Sequence, residues 1–149
     1  MSFRLAVRVP TQTVKSYSSI LRWGLIAPSI FLLVSCSEPV PETTLDGIYT
    51  AEQAARGEGL FDQHCARCHS VQEFTGRAFD AVWAEVPAIA LFYRIANTMP
   101  MDQPGSLGTP QTTALMAHIF DANGMPAGNV ALSADLEFLN SITMMRPAQ

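Results

Sequence analysis

The chain of 149 residues is poor in cysteine, histidine and lysine, with only three, three and one of these residues. Three cysteines leave little room for the disulfide framework of a small exported domain. The part of the chain after residue 36 has no lysine, five arginines and all thirteen acidic residues, a net charge of −8. This excess of acid argues against nucleic acid or an anionic membrane surface as a partner. A charge-steered protein partner should present a basic face.

The chain also lacks an apolar run long enough to predict a membrane-spanning helix. The longest run, WGLIAPSIFLLVS at residues 23–35, is short and is interrupted by Pro28. Four basic residues and no acidic residue precede it. A basic segment followed by a short apolar one predicts a signal peptide, here residues 1–35.

The apolar run ends in Leu-Val-Ser-Cys, which resembles a bacterial lipobox. We therefore expect Cys36 to be lipidated and the mature protein to be periplasmic and anchored to the membrane by lipid. The alternative is a chance cysteine beside an ordinary cleavage site. Ser37 rather than aspartate follows the cysteine, which favours the outer membrane.

The other two cysteines lie in the run HCARCHS at residues 64–70. If this run forms one helical turn, Cys65 and Cys68 share a face. Two thiols on one face can bond covalently to one edge of a haem, and the imidazole of His69 can then bind the iron. The motif C-x-x-C-H predicts one haem c per chain on these grounds.

Zinc and a thiol redox pair are the alternatives to haem. A thioredoxin-like pair expects a βαβ context, and no strand pattern surrounds the motif. A zinc site needs four ligands. Four candidates are present, but they are too crowded in one turn to surround a single ion: His64, Cys65, Cys68 and His69. A simple disulfide remains a minor alternative.

Helix and loop signals account for the rest of the chain, so the predicted fold class is all-α. Thr50 begins a capping box for a helix that runs to the haem cysteines. Further helices are expected at residues 79–85 and 88–97, from Thr109 to a stop at Gly124, and after Ser133. Residues 100–108 are predicted as a loop. We expect a haem-binding domain at residues 50–142, between a flexible spacer at 36–49 and a tail at 143–149.

A haem bound by histidine on one side needs a second ligand, or its iron is open to small molecules. Met99 and Met101 follow His69 by thirty and thirty-two residues, enough chain to return over the other haem face. We expect Met99 to be the iron ligand, with Met101 as the alternative. The remaining candidates are less suitable: Met116, Met125, Met144, Met145, His64 and His118.

Several motifs in order resemble the small single-haem class I cytochromes c. They are AxxG…F…CxxCH, then TMP…PGSL, then a helix ending in NGxPAG, and they span about residues 52–142. The resemblance is closest to the cytochromes that accompany periplasmic quinoprotein alcohol dehydrogenases and some sulfur-compound dehydrogenases. It implies a cytochrome c fold of four to five short helices, and it implies that the methionine of TMP, Met99, binds the iron.

The chain departs from this family at two points. The usual Gly-Pro pair after the haem histidine, whose carbonyl orients that histidine, is absent, so the sequence assigns no acceptor to the second nitrogen of His69. His118 stands where the family usually has a tyrosine that packs on the glycine of the first helix, here Gly57. We therefore expect His118 at a helix crossing. Trp83 and Arg94 are candidates to bind haem propionates. An equally good interpretation places Trp83 in the core and Arg94 on the solvated surface.

These features predict a single-electron carrier, not an enzyme, that links a periplasmic dehydrogenase to a respiratory acceptor. No catalytic base or nucleophile is arranged in the sequence. The alternative is a haem enzyme whose methionine ligand can be displaced, acting on peroxide or a sulfur compound.

Replacing Cys36 with serine should release the protein into the soluble periplasm with its haem still attached. A single acyl chain contributes only about 0.8 kcal/mol per buried methylene, so stable anchoring needs the several chains of a lipidated cysteine. Fractionation of cells followed by haem staining measures both properties. A Cys36→Ser protein that stays in the membrane would instead indicate an uncleaved anchor at residues 23–35.

Overall fold

The structure is a computed structural model that describes residues 39–148. Within these residues the chain forms five α-helices, one 3₁₀ turn and no strand. The helices are α1 (Ala51–His64), α2 (Gly76–Trp83), α3 (Ala88–Thr98), α4 (Thr109–Ala122) and α5 (Leu136–Ser141), and the 3₁₀ turn is Val71–Phe74. The prediction of an all-α protein is confirmed. None of these helices is both long and apolar enough to cross a membrane. The predicted signal peptide and Cys36 lie outside the described residues.

Helix α1 begins where its capping signal predicted, but only the Thr50 half of the predicted capping box forms, because the Gln53 side chain bonds to Leu132 instead. The side chain of Thr50 accepts a hydrogen bond from the backbone N–H of Gln53, 3.2 Å away. Gln53 is itself buried, and its amide exchanges two hydrogen bonds with the backbone of Leu132. The start of α1 is thereby tied to the segment before α5, because a buried amide must find partners for both its donor and its acceptor.

Helices α1 and α4 cross with their backbones almost in contact. A Cβ atom added at Gly57 would lie 1.9 Å from the carbonyl oxygen of Ala114 and 2.9 Å from the Cβ of His118. Only glycine permits this approach, since any larger side chain would meet backbone atoms. His118 therefore lies at the helix crossing. This is the place predicted for it, because it stands at the position of a tyrosine that packs on the glycine of the first helix.

The other helix boundaries agree with the predicted ones to within a few residues. The start of α5 differs from the prediction because a different residue caps the helix. The loop at residues 99–108 joins α3 to α4, and α4 is followed by Gly124 at a φ of +74°. The cap of α5 is Asp135 rather than Ser133, because the Asp135 carboxylate accepts the N–H of Phe138 at 2.7 Å. The Ser133 hydroxyl instead accepts the N–H of Asp135.

The folded unit extends beyond both predicted boundaries, 50 and 142. Thr44 and Tyr49 are fully buried, and the Thr44 hydroxyl donates to the carbonyl of Met145. Thr43 and Thr143 pair as an isolated parallel bridge. Residues 42–49 are therefore not part of a flexible spacer, although the prolines and acids of segment 36–49 predicted one, and residues 143–146 are not a free tail. The two segments supply each other's hydrogen-bond partners. This mutual pairing cannot be recognised from the sequence of either segment alone.

Gly57→Ala should lower the free energy of unfolding by about 1–3 kcal/mol, because the new methyl group would force two packed backbones apart. The matched control is Gly59→Ala in the same helix, where an added Cβ meets nothing within 4 Å. That control should stabilise the protein by about 0.5–1 kcal/mol, the usual gain of alanine over glycine in a helix. Urea unfolding of the two variants separates these effects. Equal shifts in the same direction would contradict a close crossing.

Candidate functional site

Residues 39–148 form a large, partly open apolar cavity of about 690 Å³. Its walls come from the end of α1 and the turn after it, from α2, α3 and α4, and from the loop that follows α3. Apolar side chains dominate the lining, including Phe61, Phe74, Val82, Leu91, Leu115 and Ile119. This size and apolar character are those of a site for a small molecule or a cofactor.

The motif C-x-x-C-H forms a tight turn on the rim of this cavity. Helix α1 ends at His64, and the carbonyl of Cys65 then accepts hydrogen bonds from the N–H groups of Cys68 at 3.0 Å and His69 at 2.9 Å. Cys65, Cys68 and His69 all line the cavity. Both cysteines are free thiols, and burial raises the pKa of Cys65. The turn thus places the three residues of the motif on the lining of the same cavity.

His69 is held by two neighbours that follow it in the chain. Its Nδ1 lies 3.1 Å from Oε2 of Glu73, and its ring packs edge-on against Phe74 at 5.3 Å between centroids. The other oxygen of Glu73 accepts the backbone N–H of Ser70 at 2.9 Å. The hydrogen bonds from the Ser70 N–H and then from His69 lower the pKa of the Glu73 carboxyl. The sequence motifs did not indicate Glu73 as a partner of His69, although an acid four residues after the histidine was a signal for this contact.

Of the eight candidates for a second iron ligand, the cavity lining includes only Met99, Met101 and His64. Met99 is the C-terminal cap that follows α3, and its N–H donates to the carbonyl of Ile95. Met99 is partly buried, whereas Met101 is 78% exposed. Three of the remaining methionines are buried in the core: Met116, Met125 and Met144. Because Met99 is partly buried and Met101 is largely exposed to solvent, Met99 is the better placed of the two to contact a molecule in the cavity.

Trp83 and Arg94 both lie on the cavity lining, while His118 does not. Trp83 is partly buried and Arg94 is exposed. The ring of His118 instead packs against Phe61, with 5.4 Å between ring centroids. His118 therefore serves the packing of α1 on α4.

At the cavity, an ion pair joins the cysteine turn (residues 65–69) to the methionine loop (residues 99–108). Nη2 of Arg67, which lies between the two cysteines, donates to Oδ2 of Asp102 at 2.6 Å. Asp102 directly follows Met101 and lines the cavity with Arg67. Both side chains are more than half exposed, so salt and water weaken the pair. The pair links two segments that are 35 positions apart in sequence.

Zinc and thioredoxin-like chemistry find no support in this geometry. Among residues 39–148, no group of three or more histidine, cysteine, aspartate or glutamate side chains is arranged to hold a metal ion. The same part of the chain forms no βαβ unit.

The Arg67–Asp102 pair can be tested by titration. The hydrogen bond from Arg67 lowers the pKa of Asp102, so Arg67→Ala should raise that pKa towards its ordinary value. Because the pKa of Asp102 is lower in the folded state, the pair stabilises the fold at pH values above the ordinary aspartate pKa. This contribution is lost as the pH falls through the lowered pKa of the folded state. Carboxyl ¹³C shifts measured against pH report each aspartate. Asp80, whose pKa is lowered by Arg146, is the internal control and should not move. An unchanged Asp102 would show that the pair does not form in solution.

Comparison with known proteins gives no identification. No family model matches the chain, and no curated protein or solved structure matches it either. Function must therefore be inferred from the residues around the cavity.

Proposed function

We propose that the chain is a c-type cytochrome that carries single electrons and has the class I cytochrome c fold. The observation that carries the proposal is the composition of one cavity lining, in which Cys65, Cys68, His69 and Met99 occur together among apolar side chains. Each of these four residues is of the type that the C-x-x-C-H motif and a methionine ligand require.

The residues of the cavity divide into four tasks. Cys65 and Cys68 would form the covalent bonds to the haem vinyl groups, and His69 and Met99 would bind the iron. The apolar lining would exclude water from the haem plane. Arg94, which is exposed at the cavity, is suited to a haem propionate because guanidinium and carboxylate form paired hydrogen bonds. A haem bound there would supply an iron that gains and loses one electron.

An electron carrier accounts for these residues better than an enzyme does. Ligation by both His69 and Met99 would leave the iron no free position for a substrate. Cys68 is exposed at the cavity rim, which suits electron transfer to a partner through a haem edge bonded there. A basic partner is favoured by the net charge of −8 after residue 36.

We assign the proposed carrier to the periplasm, anchored by lipid at Cys36, between a dehydrogenase as donor and a respiratory acceptor. The support is the order of the basic segment, the apolar run and the lipobox-like cysteine in the sequence. Export also suits the motif, because no cysteine would then be left as a free reactive thiol.

The first test is a pyridine-haemochrome spectrum of the denatured protein produced with c-type haem maturation. We expect one haem per chain that stays attached after denaturation and acid–acetone extraction. A Cys65→Ser, Cys68→Ser variant should lose the covalent haem. A wild-type protein that binds no haem under these conditions would overturn the proposal.

The second test distinguishes the two methionines by the charge-transfer band that sulfur ligation gives near the red edge of the visible spectrum. Met99→Ala should abolish this band, lower the reduction potential and open the iron to cyanide and carbon monoxide, with covalent haem retained. The potential should fall because a soft thioether favours ferrous iron.

Met101→Ala is the matched control, since it removes the same side chain two residues away in the same loop. Its band should remain, because Met101 is largely exposed. Loss of the band in the Met101 variant and its retention in the Met99 variant would assign the ligand to Met101 instead.

A further inference from the structure

We propose that Glu73 is a positioning residue for His69: its carboxylate fixes the imidazole with Nε2 as the iron-binding nitrogen, and it lowers the reduction potential. The inference rests on the proposed function, because it concerns how His69 would serve a haem iron. The sequence assigned no hydrogen-bond acceptor to the second nitrogen of His69. In the structure, Glu73 is such an acceptor.

The contact is built into the backbone rather than made by two free side chains. Glu73 is the third residue of the 3₁₀ turn Val71–Phe74, and its N–H donates to the carbonyl of Ser70 at 3.1 Å. Its Oε1 in turn accepts the Ser70 N–H. These two bonds hold the carboxylate close to the residue that follows His69. Phe74 packs on the imidazole edge and restricts its rotation. Oε2 is then left to face Nδ1 of His69.

The chemistry of the pair decides which nitrogen carries the proton. Nδ1 of His69 lies 3.1 Å from Oε2 of Glu73, and a carboxylate accepts hydrogen bonds, so this contact favours the tautomer with the proton on Nδ1. A neutral imidazole with Nδ1–H has its lone pair on Nε2. That is the form in which histidine binds metals, and the hydrogen bond at the other nitrogen sets it.

The same bond sets the direction of the effect on the potential. A carboxylate that accepts the Nδ1 proton increases the electron density on the imidazole and makes it a stronger donor. A stronger donor and a nearby negative charge both favour the ferric iron, which carries more positive charge than the ferrous iron. The presence of Glu73 should therefore lower the potential.

Glu73→Gln is the informative variant, because its amide oxygen can still accept the Ser70 N–H. The other terminal atom is then an NH₂ group, which cannot accept the Nδ1 proton of His69. We expect the equilibrium to shift towards the ferrous form by on the order of tenfold, which is about 59 mV for one electron. The matched control is Glu58→Gln, which removes the same charge from an exposed position of α1 that does not line the cavity.

Redox titration of the holoprotein measures this shift, and the pyridine-haemochrome spectrum and the sulfur band are recorded for every variant. A higher potential in Glu73→Gln than in both the wild type and Glu58→Gln supports the inference. An unchanged potential in a variant that keeps its haem and its band overturns the role of Glu73 and leaves the proposed function standing. Absence of haem from the wild type overturns both.

A measurement on the wild type covers the case in which Glu73→Gln fails to fold. In the reduced, diamagnetic holoprotein, the Nδ1 proton of His69 should be protected from solvent exchange and show a nuclear Overhauser effect to the side-chain methylene protons of Glu73. A freely exchanging Nδ1 proton without this contact would overturn the inference.

Discussion

The backbone contact between α1 and α4 at Gly57 is the constraint on which the rest of the structure depends. Because glycine has no side chain, the carbonyl of Ala114 approaches α1 more closely than ordinary helix packing allows. The crossing fixes the direction in which α1 arrives at its last residue, His64, and therefore the place of the cysteine turn. It also fixes the face of α4 that supplies Leu115 and Ile119 to the cavity. The site is thus positioned by a feature that lies outside its lining.

The features that the sequence predicted correctly are those decided within about four residues. The cap at Thr50 and the helix stop at Gly124 depend only on side-chain chemistry or backbone freedom at one position and its near neighbours. The cap of α5 shows the limit of such signals. Ser133 and Asp135 lie in the same turn and are both good capping residues, and only the path of the chain decides that Asp135 reaches Phe138.

The features that the sequence did not predict depend on distant partners or on a local turn without a strong signal. Residues around Thr44 contain prolines and acids that are typical of a spacer, yet they pack against a segment about a hundred positions later. Thr143 pairs with the backbone of Glu42 and Thr44, and Met145 pairs with the Thr44 hydroxyl. The Glu73–His69 contact is local, but it needs a 3₁₀ turn that the sequence did not indicate. The cavity itself draws on four helices and could be expected only from the motifs that line it.

The loop after α3 bears on whether the proposed haem would carry electrons or act on a substrate. Its first residue, Met99, is held by the last hydrogen bond of α3, and its far end is held by the burial of Leu107. Between them two successive turns, closed at Gln103 and Ser106, shape the loop. A backbone fixed in this way would hold the Met99 side chain near the proposed haem, at a high effective concentration. This restraint is consistent with the proposed role of Met99 as a lasting ligand in an electron carrier, and it would oppose the release of that ligand which the alternative, an enzyme acting on peroxide or a sulfur compound, requires.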